Sequence, residues 1–233
     1  YPLRRQRQMC IRDSISLDLR DNLFRGQGMR AFAEALSMGA LDHLNSLMCN
    51  YITSEGIVAF TEALSKGGAL KSLKHLDLAL RNIEDEALKA FTEALFKGSF
   101  TPLTHLAILR TQFTEEGIKA FFEALSIGGT NLHHLDLTSN DIGDTGMKAF
   151  TQALVKGGSG LDKLRNLLLG RNNISDEGME AFAEALVKGA LNKLTHLNLY
   201  LHYNNIGDEG MKAFAEALSK GALNNLKNLA ISN

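Results

Sequence analysis

The chain of 233 residues has no tryptophan, two prolines, two cysteines and only 7% aromatic residues. Cys10 and Cys49 can build neither a metal cluster nor a disulfide framework, so the default compartment is reducing and the expected location cytoplasmic. No apolar run is long enough to span a bilayer and no signal peptide is legible, so no membrane partner is expected. The sequence lacks zinc-ligand spacing, a phosphate loop and a nucleophile elbow, which predicts no cofactor, no metal and no enzyme activity.

Charge of either sign is also scarce in net terms, with 25 Lys and Arg against 26 Asp and Glu. Residues 1–13 share nothing with the rest of the chain, and Arg7-Gln-Met-Cys-Ile-Arg-Asp13 resembles translated sequencing-adapter sequence. They are read as a non-native or disordered tail. Without them 21 basic and 25 acidic residues remain, a net charge of −4, which argues against nucleic acid as a partner.

What the chain has is repetition. Seven related nonapeptides begin at Gly28, Gly56, Ala87, Gly117, Gly146, Gly178 and Gly210, for example GMKAFTQAL and GMEAFAEAL, so the period is 28 to 32 residues. A period of this size means a solenoid, whose units are too small to bury an apolar face alone and must stack. Residues 14–233 are expected to form one domain of seven repeats and a truncated eighth strand, and the lack of polar capping units suggests a fragment of a longer protein that self-associates through its ends.

Within each nonapeptide, Gly146, Ala149, Phe150, Ala153 and Leu154 fall on one helical stripe, while Lys148, Thr151 and Gln152 are expected to point away. The helices open with acids, as at Asp176-Glu177, and close with Lys-Gly, as at Lys188-Gly189, which suits the helix dipole and a glycine stop. Gly26-Gln-Gly28-Met-Arg-Ala31 fits a dinucleotide-binding spacing, but Gly28 only occupies the slot that Gly146, Gly178 and Gly210 fill in other units.

Ahead of each nonapeptide lies a second pattern, LxxLxLxxNxI, clearest from Leu132 to Ile142 and from Leu164 to Ile174, with strand-like alternation across Leu135 and Leu137. On these motifs the chain resembles the leucine-rich repeat family, and its long helical repeats are most similar to the ribonuclease-inhibitor-like subtype found in NOD-like receptors, the Ran GTPase-activating protein and tropomodulin. The resemblance covers about residues 14 to 233. It implies an α/β solenoid, a curved horseshoe segment with parallel strands on the concave face and helices on the convex one. It also implies a protein–protein recognition module that binds through the concave sheet and strand-exit loops. Two further roles follow from it, GTPase activation of the Ran-activator type and ligand sensing as part of a NOD-like-receptor-type protein.

The candidate residues follow the repeat. Asn22, Asn50, Asn140, Asn172 and Asn204 stand one position after their strands and are read as structural, bonding backbone groups of the adjoining turns. The second unit is two residues short at Asn50 and the seventh two residues long at Asn204, so both are expected to bulge without breaking the stack. On the inner face stand His75, His105, His134 and His196, either a metal-binding or pH-sensing column or simply copies of one consensus residue. Asp77, Asp136 and Asn198 form the next column, Arg110 and Arg171 lie near the strand exits, and the seventh unit adds Tyr200 and Tyr203, whose rings suit a binding hot spot. These residues form the candidate partner-binding surface. The identity of the protein partner is not legible.

Overall fold

The computed structural model describes residues 16–22, 26–67, 70–80, 83–156, 160–200 and 204–231. Strand and helix alternate throughout: β1 (Ser16–Asp18), α1 (Gly26–Ser37), β2 (Ser46–Ile52), α2 (Ser54–Gly67), β3 (His75–Leu80), α3 (Asp85–Phe96), β4 (His105–Leu109), α4 (Glu115–Ile127), β5 (His134–Asp136), α5 (Gly143–Lys156), β6 (Asn166–Leu168), α6 (Asp176–Val187), β7 (His196–Asn198), α7 (Asp208–Ser219) and β8 (Asn228–Ala230). The eight strands form one parallel sheet in sequence order, β1 to β8. Parallel strands sit about 4.8 Å apart and packed helices about 8 to 10 Å. The stack therefore curves, with strands on the inside and helices on the outside.

The core lies between sheet and helices. Leu47, Leu76, Leu106, Leu135, Leu167 and Leu197 fill the same strand slot and are fully buried. From the helices, Phe60, Phe91, Phe121, Phe150, Phe182 and Phe214 meet them, also buried. Along this phenylalanine column the ring centroids of Phe91 and Phe121, and of Phe150 and Phe182, lie 6.5 Å apart, so each unit's largest side chain packs on its neighbour's. Thr151 does not point away from the core. It is buried, as are Thr61 and Thr92, and its hydroxyl donates to the Lys148 carbonyl at 2.8 Å. A solenoid helix packs laterally on the helices of both neighbouring units, so its buried face is wider than a single-stripe reading allows. Met147, which that reading left out, is likewise fully buried.

Helix ends are tied between units. Asp144 in the first turn of α5 accepts from Ser175 N–H at 2.8 Å and Gly178 N–H at 3.0 Å, so it caps the helix of the following unit. Asp176 does the same for Gly207 and Gly210, at 2.6 and 2.9 Å. This explains the glycine at two of the repeat openings, because a Cβ on Gly178 or Gly210 would lie 2.5 or 2.7 Å from the Asp144 or Asp176 carboxylate oxygen, whereas on Gly56, Gly117 or Gly146 it would press on Met29, Leu88 or Ile142. In the third unit the slot holds Ala87, and there the preceding unit offers the shorter Ser54, whose hydroxyl accepts from Glu84 N–H at 2.9 Å. Gly210→Ala should therefore cost about 1 to 3 kcal/mol by displacing the Asp176 carboxylate, whereas Ala87→Gly should cost no more than about 1 kcal/mol. Urea unfolding of the two variants checks the pair. At the other end, Gly189 and Gly221 adopt φ of 89° and 88°, and the Ala190 and Gly189 N–H groups bond back to Ala185 and Leu186, closing the helix as its Lys-Gly ending predicts.

The shortened second unit is absorbed by a register shift between Asn50 and Ile52 where β2 meets β3. In the lengthened seventh unit, Leu201, His202 and Tyr203 lie outside the described residues, as does residue 81 in the third unit's asparagine slot.

Candidate functional site

Beneath the strand exits runs a chain of three asparagines. Asn140 accepts from Thr111 N–H at 2.7 Å and donates to the Ile108 carbonyl at 2.6 Å. Asn172 accepts from Asn140 N–H and donates to Leu137, at 2.9 and 2.8 Å, and Asn204 accepts from Asn172 N–H and donates to Leu169, at 3.0 and 3.1 Å. All three are buried. Each side chain thus satisfies buried backbone groups of the preceding unit, as a dry interior requires. Asn22 and Asn50 do not share this arrangement. Asn22 is exposed and, among the described residues, donates to the carbonyls of its own turn, at Leu19 and Arg20. Asn50 lies within β2, half-buried, and exchanges bonds with Asp21, because the two-residue deletion draws it back into the strand. The chain ends at Thr111, whose buried hydroxyl has no hydrogen-bond partner.

Above this frame the exposed columns of the inner face line up. His75, His105, His134, Asn166, His196 and Asn228 are paired in register across six strands. The rings of His75 and His105 lie 4.0 Å apart and those of His105 and His134 5.5 Å. His196 is separated from them by Asn166, whose amide lies 3.3 Å from Nδ1 of His134. Partial burial, with His75 and His134 close by, holds the His105 imidazole down to about 4, and burial lowers His134 as well. His105 and His134 are therefore neutral at pH 7. Among the described residues no group of His, Cys, Asp or Glu is arranged to hold a metal ion.

The depressed His105 has a definite pH consequence. The unfolded chain takes up a proton near the ordinary value of 6.5 and the folded chain only near 4. Between these values the unfolded state binds more protons, so stability is full above about 6.5 and falls as pH drops towards 4. His105→Asn should flatten part of that decline, as read by melting temperatures at pH 7 and pH 5. If both proteins lost the same number of degrees, the column would not be the source.

In the next column Asp136 accepts from the Thr138 N–H and hydroxyl, at 2.9 and 2.6 Å. Burial raises Asp77, and Asp18 sits in a two-pronged bond with Arg20 that lowers it to about 2. Ala107, Leu109 and Leu168 stand between these polar groups, each only partly buried. Ala107 and Leu168 occupy the column of Asp77 and Asp136. Sequence reasoning passed over them because a leucine outside the LxxLxL slots looks like another core residue. The signal lay in its offset by one from Ile108 and Leu169. Cys49 faces the core, and burial pushes its thiol up to about 12, so it is chemically quiet.

At the strand exit the backbone turns sharply. Asp21, Tyr51, Arg110, Ser139 and Arg171 all adopt left-handed φ, between 57° and 64°. Holding side chains other than glycine in that region costs about 1 to 2 kcal/mol per residue. The reward is that these side chains project together along one rim. Arg110, Asp136, Arg171 and Tyr200, four of the residues singled out from sequence, line one cleft of about 350 Å³ with Leu109, Thr138 and Ser139. Tyr200 is 40% exposed, and its ring lies against Gly170, where a Cβ would come within 2.9 Å of Cδ2. Asp77 and Arg110 share a second cleft of about 210 Å³ with Arg20, Tyr51 and Leu109. His196 and Asn198 lie outside both clefts, and Tyr203 lies outside the described residues.

Parallel strands in sequence order, a buried asparagine chain beneath their exits and helices along the outside define an α/β solenoid. A family profile described as Leucine Rich repeat matches residues 69–91, 130–150, 162–183 and 190–215. Among solved structures, one described as the crystal structure of a TLR13–ssRNA13 complex is similar at 14% identity and a TM-score of 0.42. The match covers 97% of this chain and 33% of that one, so the chain spans about a third of its length. No curated protein matches. Repeats of this family and fold typically serve as recognition modules that bind protein partners.

Proposed function

We propose that the chain is a protein-interaction scaffold without catalysis of its own, binding its partner on the inner sheet face and the strand-exit rim. The observation that carries this reading is the convergence of Arg110, Arg171 and Tyr200, from three different units, on one cleft floored by Leu109. Tyrosine and arginine are enriched in binding hot spots, tyrosine because it brings large contact area with few rotors to freeze and arginine because its planar guanidinium directs several hydrogen bonds at once. The outer surface, by contrast, repeats the same alanines, lysines and glutamates from unit to unit. Periods of 28 to 32 residues with a helix in each support the ribonuclease-inhibitor-like subtype, and a reducing, cytoplasmic setting agrees with the buried, unpaired Cys49. No helix among the described residues is long and apolar enough to cross a membrane.

With a captured protein partner in hand, Tyr200→Ala should weaken binding by about 2 kcal/mol or more, while Lys212→Ala and Glu216→Ala on the outer face should leave it unchanged. Isothermal titration reads the difference. A GTPase-stimulation assay on the same sample separates simple binding from activation of the Ran-activator type, and unchanged hydrolysis rates are expected.

A further inference from the structure

The two strand-exit clefts are built alike. Each uses Leu109 and Arg110 as a shared wall, and each adds a second arginine, a tyrosine and an aspartate, Arg20, Tyr51 and Asp77 on one side and Arg171, Tyr200 and Asp136 on the other. Within this plan the charges are not equivalent. Arg20 is neutralised by Asp18 at 2.7 Å, and Asp136 is turned to Thr138. Arg110 has no carboxylate partner among the described residues, yet it is held at φ 59° at the junction of both clefts. A planar guanidinium presented beside the partly exposed Leu109 is suited to a carboxylate carried next to an apolar side chain.

Resting on the reading of this face as a protein-binding surface, we infer that the Arg110 junction recognises an acidic linear peptide segment of its partner, with a carboxylate on Arg110 and an adjacent apolar side chain on Leu109. The distribution of charge favours such a segment over a nucleic acid. Asp18, Asp77 and Asp136 stand in one strand column and Asp21 and Asp141 in the left-handed exit turns beside it, so a continuous phosphate backbone would meet these carboxylates among the arginines, whereas isolated acids can be placed between them.

The test is to pan a phage-displayed random peptide library against the chain. Fluorescence anisotropy then follows the selected peptides on the parent, Arg110→Ala, Arg110→Gln, Arg110→Glu and Leu109→Arg, with a thermal melt of each variant as the fold control. The expected selection is of sequences in which Asp or Glu stands beside an apolar residue. Arg110→Ala should weaken them about tenfold or more, and Arg110→Glu should select lysine and arginine in place of acids. Should Arg110→Glu fail to fold, Arg110→Gln, which removes the charge and keeps a polar side chain, should weaken the acidic peptides as Arg110→Ala does. A library that yields no binder, or binders without acidic residues, overturns the inference. If such non-acidic binders are lost in Leu109→Arg, the inner-face reading survives. Binders indifferent to both positions overturn both. An Arg110-dependent single-stranded RNA oligonucleotide that displaces the peptides would make nucleic acid the occupant.

Discussion

Phe150→Ala is expected to lower stability by about 3 to 5 kcal/mol, through lost burial and the cavity left between two units. Phe150 is fully buried, with its ring centroid 4.8 Å from Phe122 and 6.5 Å from Phe182. Stability in a solenoid is a sum of unit and nearest-neighbour interface contributions, so removing a ring at the centre weakens two interfaces together. The matched control is Lys148→Ala, which loses only an exposed ion pair with Glu177 and should shift stability by about 1 kcal/mol or less. Thermal melts that moved alike would contradict the helix register described above.

Asn172→Ala should have an effect of similar size without removing any apolar surface. Its side chain accepts from Asn140 N–H and donates to the carbonyls of Leu137 and Gly170, at 2.9, 2.8 and 3.2 Å, all in the buried interior. Alanine would orphan these groups at about 1 to 3 kcal/mol for each one left unsatisfied, so a total loss of about 3 to 5 kcal/mol is expected. Asn22→Ala, at the same position of the first unit, should cost no more than about 0.5 kcal/mol because it is exposed. Urea unfolding of the pair separates a buried ladder from a merely repeated residue. Equal midpoints would mean that the asparagine chain does not hold adjacent units together.

Much of this architecture was legible in the residues. A nonapeptide recurring seven times and the LxxLxLxxNxI pattern dictate strand, turn and helix in each unit, and the differing widths of strands and helices dictate the bend. Features that depend on contacts between units were not legible. Thr151 looked solvent-facing because one helix was considered without its neighbours. Asp176 looked like a partner of its own helix dipole, yet its carboxylate, like that of Asp144, caps the next helix. Asn50 shares its residue type with the ladder, but the shortened unit places it in the strand.

The candidate site was legible only in outline. Column position gave Asp136, the strand exits gave Arg110 and Arg171, and the lengthened seventh unit gave Tyr200, and these four meet in one cleft. Two things were hidden. One is Leu109, the common floor, which reads as core. The other is the left-handed turn at Arg110 and Arg171, which no residue type announces because arginine has no preference for that conformation.

The inner-face reading is tested most directly by carboxyl labelling of the chain, free and saturated with its partner, with each site followed by mass spectrometry. Binding at the strand-exit rim predicts that Asp136 and Asp141 lose reactivity in the complex while Glu184 and Glu216 on the outer helices keep theirs. Protection of Glu184 and Glu216 with Asp136 and Asp141 unchanged would place the partner on the helices and contradict the account.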